Sequence, residues 1–192
     1  MEIITYPHPI LRYKSKPIKR VDTELRQMIG QMFELMYEAH GVGLAANQVN
    51  LPLRVFVVNT EADPAKGQEL VFINPVISKP KGLDEQEEGC LSLPQVHAKV
   101  RRPARVHITA YDLQGNAIDT TLDGFLARVV QHELDHLDGV LLIDRVSETS
   151  QMDLADLLDE FETDFSSRRS TGSVPSDAAL AAEWVAWERK YG

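Results

Sequence analysis

Apolar positions recur every three to four residues through Leu25, Met28, Ile29, Met32, Leu35 and Met36. This period predicts an amphipathic helix, capped at its start by Asp22 and stopped near Gly41. Its methionines read as core filler. After the glycine-containing segment Gly41 to Gln48, the run Arg54 to Asn59 is apolar and β-branched without alternation, the pattern of a buried strand. Leu70 to Pro75 predicts another, with Pro75 ending the ladder or sitting at its edge. Val106 to Tyr111 and Ala117 to Leu122 flank Asp112 to Asn116, which predicts a hairpin with a glycine-containing loop. His107 alternates with apolar neighbours and reads as a half-exposed strand residue, not a ligand.

A second helix is expected from about Asp123 to Gly139, with Leu126, Val129, Val130 and Leu137 on its apolar side. Beyond Arg145 a stripe of Leu154, Leu157, Leu158, Phe161 and Phe165 lies under Asp153, Asp156, Asp159, Glu160 and Glu162, a surface amphipathic helix. Ser166 to Ser176 reads as a linker. The last helix carries Leu180, Trp184, Trp187 and Tyr191 on one stripe, which is expected to dock on its own domain or on a second subunit.

With 192 residues, 43% hydrophobic and 26% charged, the chain supports one well-buried core with an appendage. We therefore divide it into a domain over residues 1–165 and a linker plus amphipathic helix over residues 166–192. The single cysteine, Cys90, excludes an intramolecular disulfide and suits a reducing compartment. There is no basic segment followed by an apolar stretch at the start, and no run of about 18 apolar residues. A cytoplasmic protein is expected. A net charge of -9 argues against free nucleic acid or an anionic membrane as partner, although Arg101, Arg102 and Arg105 suggest a local basic patch.

The chemistry is concentrated in Gln131-His132-Glu133-Leu134-Asp135-His136. On a helix, His132 and His136 project from nearly one face and can reach one cation, while Glu133 stays free beside it as a proton acceptor. A third ligand must come from elsewhere. Gly139 fits an extension to a third histidine, but that position is Leu142. Glu160 and Glu162 fall on the polar face of an amphipathic helix, where solvated charge is the simpler reading. Cys90, in Glu88-Gly89-Cys90-Leu91-Ser92-Leu93-Pro94, offers a thiolate, and a Cys-His-His set leaves a fourth position for water. Gly41 to Gln48 is a poor phosphate loop, lacking the Lys-Ser/Thr ending.

Gly41-Val42-Gly43-Leu44-Ala45-Ala46-Asn47-Gln48, Glu88-Gly89-Cys90-Leu91-Ser92 and Gln131 to His136 together resemble the three signature motifs of the peptide deformylases, in order and intact, within residues 1–148. The resemblance implies an α+β fold, with antiparallel strands packed around a central metal-bearing helix and a C-terminal helix. It implies a hydrolase that removes the formyl group from the N-terminal formyl-methionine of new polypeptides, using a water activated at the metal and Glu133 as general base. It assigns the oxyanion to the Leu91 N–H and the Gln48 amide. Gly41 and Gly43 would let an extended peptide approach the backbone. Val42, Phe125, Val129 and the aliphatic stem of Arg128 match the methionine pocket. The metal implied is Fe2+, one per chain, although Zn2+, Ni2+ and Co2+ suit the same donors. The partners implied are N-formyl-methionyl nascent peptides at the ribosome, with the chain a monomer or weak homodimer. One position departs: where several members carry an Arg after the cysteine motif, this chain has His97, for which Arg101 or Arg102 is expected to compensate. A metallopeptidase cutting internal bonds and a silent metal-binding protein share the ligand set; formate release separates them.

Overall fold

The structure is a computed structural model that describes all 192 residues. Helix α1 spans Thr23–Glu38 and is opened by Asp22, whose side chain accepts from the Leu25 N–H. Its apolar stripe is buried as the period requires. The helix ends because His40, not Gly41, turns left-handed at φ 56°. Strands β1 (Gly43–Ala45), β2 (Val55–Val58), β3 (Leu70–Lys81), β4 (Asp84–Cys90), β5 (Leu93–Arg102), β6 (Arg105–Tyr111) and β7 (Ala117–Asp123) follow. Then come α2 (Gly124–Leu137), α3 (Glu148–Ser170) and α4 (Asp177–Tyr191).

Five strands form one antiparallel sheet in the order β1-β2-β3-β6-β7, and β4 pairs with β5 in a separate hairpin. The α+β expectation holds. All four β2 side chains are buried because the strand is covered on both faces. Val55 and Val57 pack with Leu25, Met32 and Leu44 on the α1 side, while Phe56 and Val58 pack with Ile108, Val129 and Val130 on the α2 side. Burying each such side chain stabilises the fold by roughly 1.5–3 kcal/mol. The helix α2 thereby lies against the sheet, with its histidines held away from bulk water.

Three expectations change, and one open alternative is resolved. Strand β3 does not stop at Pro75 but runs on to Lys81 through an irregularity between Ile73 and Val76. There Asn74 takes φ 53° and its side chain bonds both backbone groups of Ile18, so the proline's missing N–H falls where the ladder is already broken. The β4-β5 hairpin was not foreseen, because β4 exposes Glu85, Gln86 and Glu87 in succession and shows no alternation. Residues 166–170, expected in a linker, form the last turn of α3 and leave only a short connection. Finally, α4 docks on its own chain: Leu180 and Trp184 pack with Ile10, Leu11 and Leu93, and Tyr191 joins the cluster around Leu25.

Candidate active site

The sequence brings two distant elements together over α2. His132 and His136 stand one turn apart on that helix, and Cys90 ends β4 at a register shift beside Gly89. Cys90 Sγ lies 3.2 Å from His136 Nε2, which lies 3.2 Å from His132 Nε2. All three donor atoms fall within 4.8 Å of one another. One soft and two imidazole donors converging from two elements fit a divalent metal, and three protein ligands leave a coordination position open. Leu142, at the place a third histidine would take, is buried in the core, and Glu162, on α3, accepts from Tyr6 and does not join the group. Glu160 is exposed on α3.

Glu133 is 4% exposed and its Oε2 has no hydrogen-bond partner. Burial pushes its carboxyl up to about 7, against the pull of His132 and Arg102. Gly43 makes room for it. A Cβ there would stand 2.4 Å from Glu133 Oε1, so only glycine lets β1 pass so close to this carboxylate.

A buried ionic network holds His132. Its Nδ1 lies 3.1 Å from Glu88 Oε2, and Arg102 donates to both Glu88 oxygens at 2.7 and 2.9 Å. Arg128 adds a third donor at 2.6 Å. Burial alone would raise the Glu88 carboxyl, but the contacts from His132 and Arg102 outweigh it and hold the group at about 2. A carboxylate fixed behind a ligand histidine sets its tautomer and makes it a stronger donor. Arg102 continues to Asp135 at 2.7 Å, and Arg145 closes the chain on the same carboxylate.

A cavity of about 530 Å³ opens beside these groups. Of the residues singled out from the sequence, Gly41, Val42, Gly43, Gln48, Cys90, Leu91, Phe125, Arg128, Val129, His132 and Glu133 all line it. His136 does not; it is 1% exposed and joins the group from below through Nε2. Gln48 is fixed at both ends: Oε1 accepts from the Ala45 N–H, while Nε2 donates to Ser92 Oγ and faces Cys90 Sγ at 3.8 Å. The Leu91 N–H donates to no acceptor in the protein. Phe125 is 50% exposed at the mouth. Arg128 contributes its stem, because its guanidinium is committed to Glu88, Asp84 and the Val100 carbonyl.

His97 also lines the cavity, and its ring stands across Gly89, where a Cβ would meet it at 3.0 Å. The expected compensation fails, since Arg102 is buried on Glu88 and Asp135 and Arg101 faces Glu85 at 3.7 Å outside the cavity. The basic patch dissolves for the same reason, with Arg105 facing Asp123. Sequence reasoning missed the roles of Glu88, Arg102 and Ser92. Their signal was present: Val96, Ala98, Val100 and Arg102 share the inward face of β5, and an arginine closing such a series needs a buried acid opposite.

Comparison with known proteins agrees with this geometry. Residues 1–152 match the family profile described as polypeptide deformylase. The chain is 50% identical over 191 residues to a peptide deformylase of Rhodopirellula baltica, covering 100% of this chain and 95% of that relative. The crystal structure of Arabidopsis thaliana peptide deformylase 1B in complex with an inhibitor superposes with a TM-score of 0.84 at 40% identity, covering 92% of this chain and 97% of the other. A peptide deformylase from Synechococcus elongatus, crystallised with actinonin, gives a TM-score of 0.78 at 40% identity over 83% of this chain and 86% of that one. By motif, fold and full-length identity, the chain belongs to the polypeptide deformylase family.

Proposed function

We propose that this chain is a metal-dependent hydrolase that removes the formyl group from N-formyl-methionyl nascent polypeptides, with Glu133 as its general base. The observation that carries this reading is the unpartnered, buried Glu133 carboxylate beside the converging Cys90, His132 and His136 donors. When bound there, a metal ion supplies Lewis acidity and lowers the pKa of a water. The residues do the rest. Glu133 takes the proton of the attacking water and returns it to the leaving amine, a role suited to a buried carboxylate with no hydrogen-bond partner of its own. The Gln48 Nε2 and the free Leu91 N–H donate to the oxygen on which charge develops. Glu88 keeps the His132 ring oriented throughout.

Recognition follows from the two free edges. β1 is an edge strand of the five-stranded sheet, and β4 pairs on one side only, so an extended peptide can lie between them through backbone hydrogen bonds. The methionine side chain then enters the space between Val42, Phe125, Val129 and the Arg128 stem. Thiolate and imidazole bind Fe2+, Zn2+, Ni2+ and Co2+, and among these we assign Fe2+ to the working enzyme. We place its action in the cytoplasm at the ribosome, where formylated chains emerge, with the chain a monomer or weak homodimer.

Formate release from a formyl-methionyl peptide tests the activity. Metal-loaded protein should release formate and leave internal bonds intact. Glu133→Ala should keep the metal and lose about 10²–10⁴-fold in rate. An active Glu133→Ala would remove the general-base assignment, and cleavage of internal bonds would favour a metallopeptidase. Metal analysis after anaerobic purification tests the iron; equal activity with zinc alone, in air or without it, would overturn that assignment.

A further inference from the structure

Glu88 accounts for the orientation of His132 and leaves that of His136 unexplained. His136 turns Nε2 toward Cys90 and His132, so the proton of its neutral ring belongs on Nδ1 when Nε2 serves as a ligand. That Nδ1 is buried and has no hydrogen-bond partner in the protein. A buried donor left in this condition destabilises the fold. Two acceptors share its situation: Asn47 Oδ1 and Ser15 Oγ are buried and unpaired, in residues that are 0% and 3% exposed.

Asn47 and Ser15 both bond to the turn that carries His136. Asn47 Nδ2 donates to the His136 carbonyl, and the Ser15 N–H donates to the neighbouring Leu137 carbonyl at 2.9 Å. The two residues that carry unpaired acceptors are therefore fastened to the carbonyls of His136 itself and of its neighbour, at the end of α2. We propose that Asn47 and Ser15 are the positioning residues of His136, accepting its Nδ1 proton through one buried water and so filling for His136 the role that Glu88 fills for His132. Their chemistry differs from that of Glu88. His132 is backed by a carboxylate and is the stronger donor; His136 is backed by an amide and a hydroxyl and stays a neutral imidazole. The proposal rests on reading His136 as a metal ligand.

The experiment uses the full-length, zinc-loaded protein and follows the His136 ring nitrogens by nuclear magnetic resonance, alongside zinc release to a chelator. In the unsubstituted protein, Nδ1 should carry a proton protected from exchange. Asn47→Ala and Ser15→Ala should each speed that exchange and raise zinc loss by about tenfold or more. Asn47→Asp keeps an acceptor and loses the donor to the His136 carbonyl, so it should retain zinc as the unsubstituted protein does. If Asn47→Asp loses zinc as fast as Asn47→Ala, Asn47 merely caps α2 and its assignment falls. Should Asn47→Asp fail to fold, Ser15→Ala, which leaves the backbone bond intact, decides: unchanged exchange and zinc retention there overturn the proposal. A His136 ring whose signals do not respond to zinc at all would overturn the underlying ligand reading instead.

Discussion

Glu133 sits without a partner while Glu88, Arg102 and Arg128 close by are each tied to two or more groups. Its position depends on one missing methyl group. Gly43→Ala would drive a Cβ into the Glu133 carboxylate, and because that side chain is buried it has little room to yield. We expect kcat to fall by at least about tenfold while the metal is retained; steady-state kinetics with metal analysis checks this, and an unchanged kcat would refute the clash. Residue identities in the site were readable from the chain because three short motifs hold nearly all of them. The role of Glu88 was not, since its partners lie 14, 40 and 44 residues away and only folding reveals that they face it.

Elements were legible where one local period governs burial. The helix stripes of α1 and α2 and the β6-β7 hairpin follow directly from their spacing. The β4-β5 hairpin was hidden on its β4 side, where Glu85, Gln86 and Glu87 are exposed in succession and the buried member is Glu88, which a hydrophobic pattern cannot mark as interior. The contact between the N-terminal 3-10 turn (Pro9–Arg12) and α3 was also hidden, although it is chemically specific. There His8 Nδ1 accepts from the Ile10 N–H at 3.3 Å and the ring meets Phe165 edge-on at 5.9 Å. Burial, reinforced by Arg169 and Arg168, pushes His8 down to about 4. A histidine whose pKa is lower folded than unfolded contributes its full stability above about 6.5 and loses it as pH falls toward 4. Thermal melts at neutral and acid pH should therefore diverge more for the unsubstituted protein than for His8→Phe. Equal divergence would show that His8 is not the titrating group.

At the scale of the whole molecule, three tyrosines tie the C-terminal helices to the body. Tyr6 donates to Glu162 on α3, Tyr13 donates to Glu188 on α4, and Tyr191 donates to Asp22 at the start of α1. Each is raised to about 12: burial leads for Tyr6 and Tyr191, and the bond to Glu188 leads for Tyr13. Groups raised in the folded state give their stability in full below pH 10 and lose it between about 10 and 12. Alkaline titration should release tyrosinate and helix signal together in that interval; tyrosinate appearing with the helices intact would refute the linkage. The Rhodopirellula relative aligns over 191 residues, so it shares this C-terminal part, which lies beyond the family profile. Order of synthesis then matters. Leu180, Trp184 and Tyr191 complete clusters whose other members include Ile10, Leu11, Leu25 and Leu44, made long before. Both clusters stay incomplete without those late residues, and such non-local closure is slow. A chain truncated before Leu180 should be more protease-sensitive than the full chain, and equal sensitivity would refute the dependence. The last helix thus acts as the keystone of two clusters that begin near the other end of the chain.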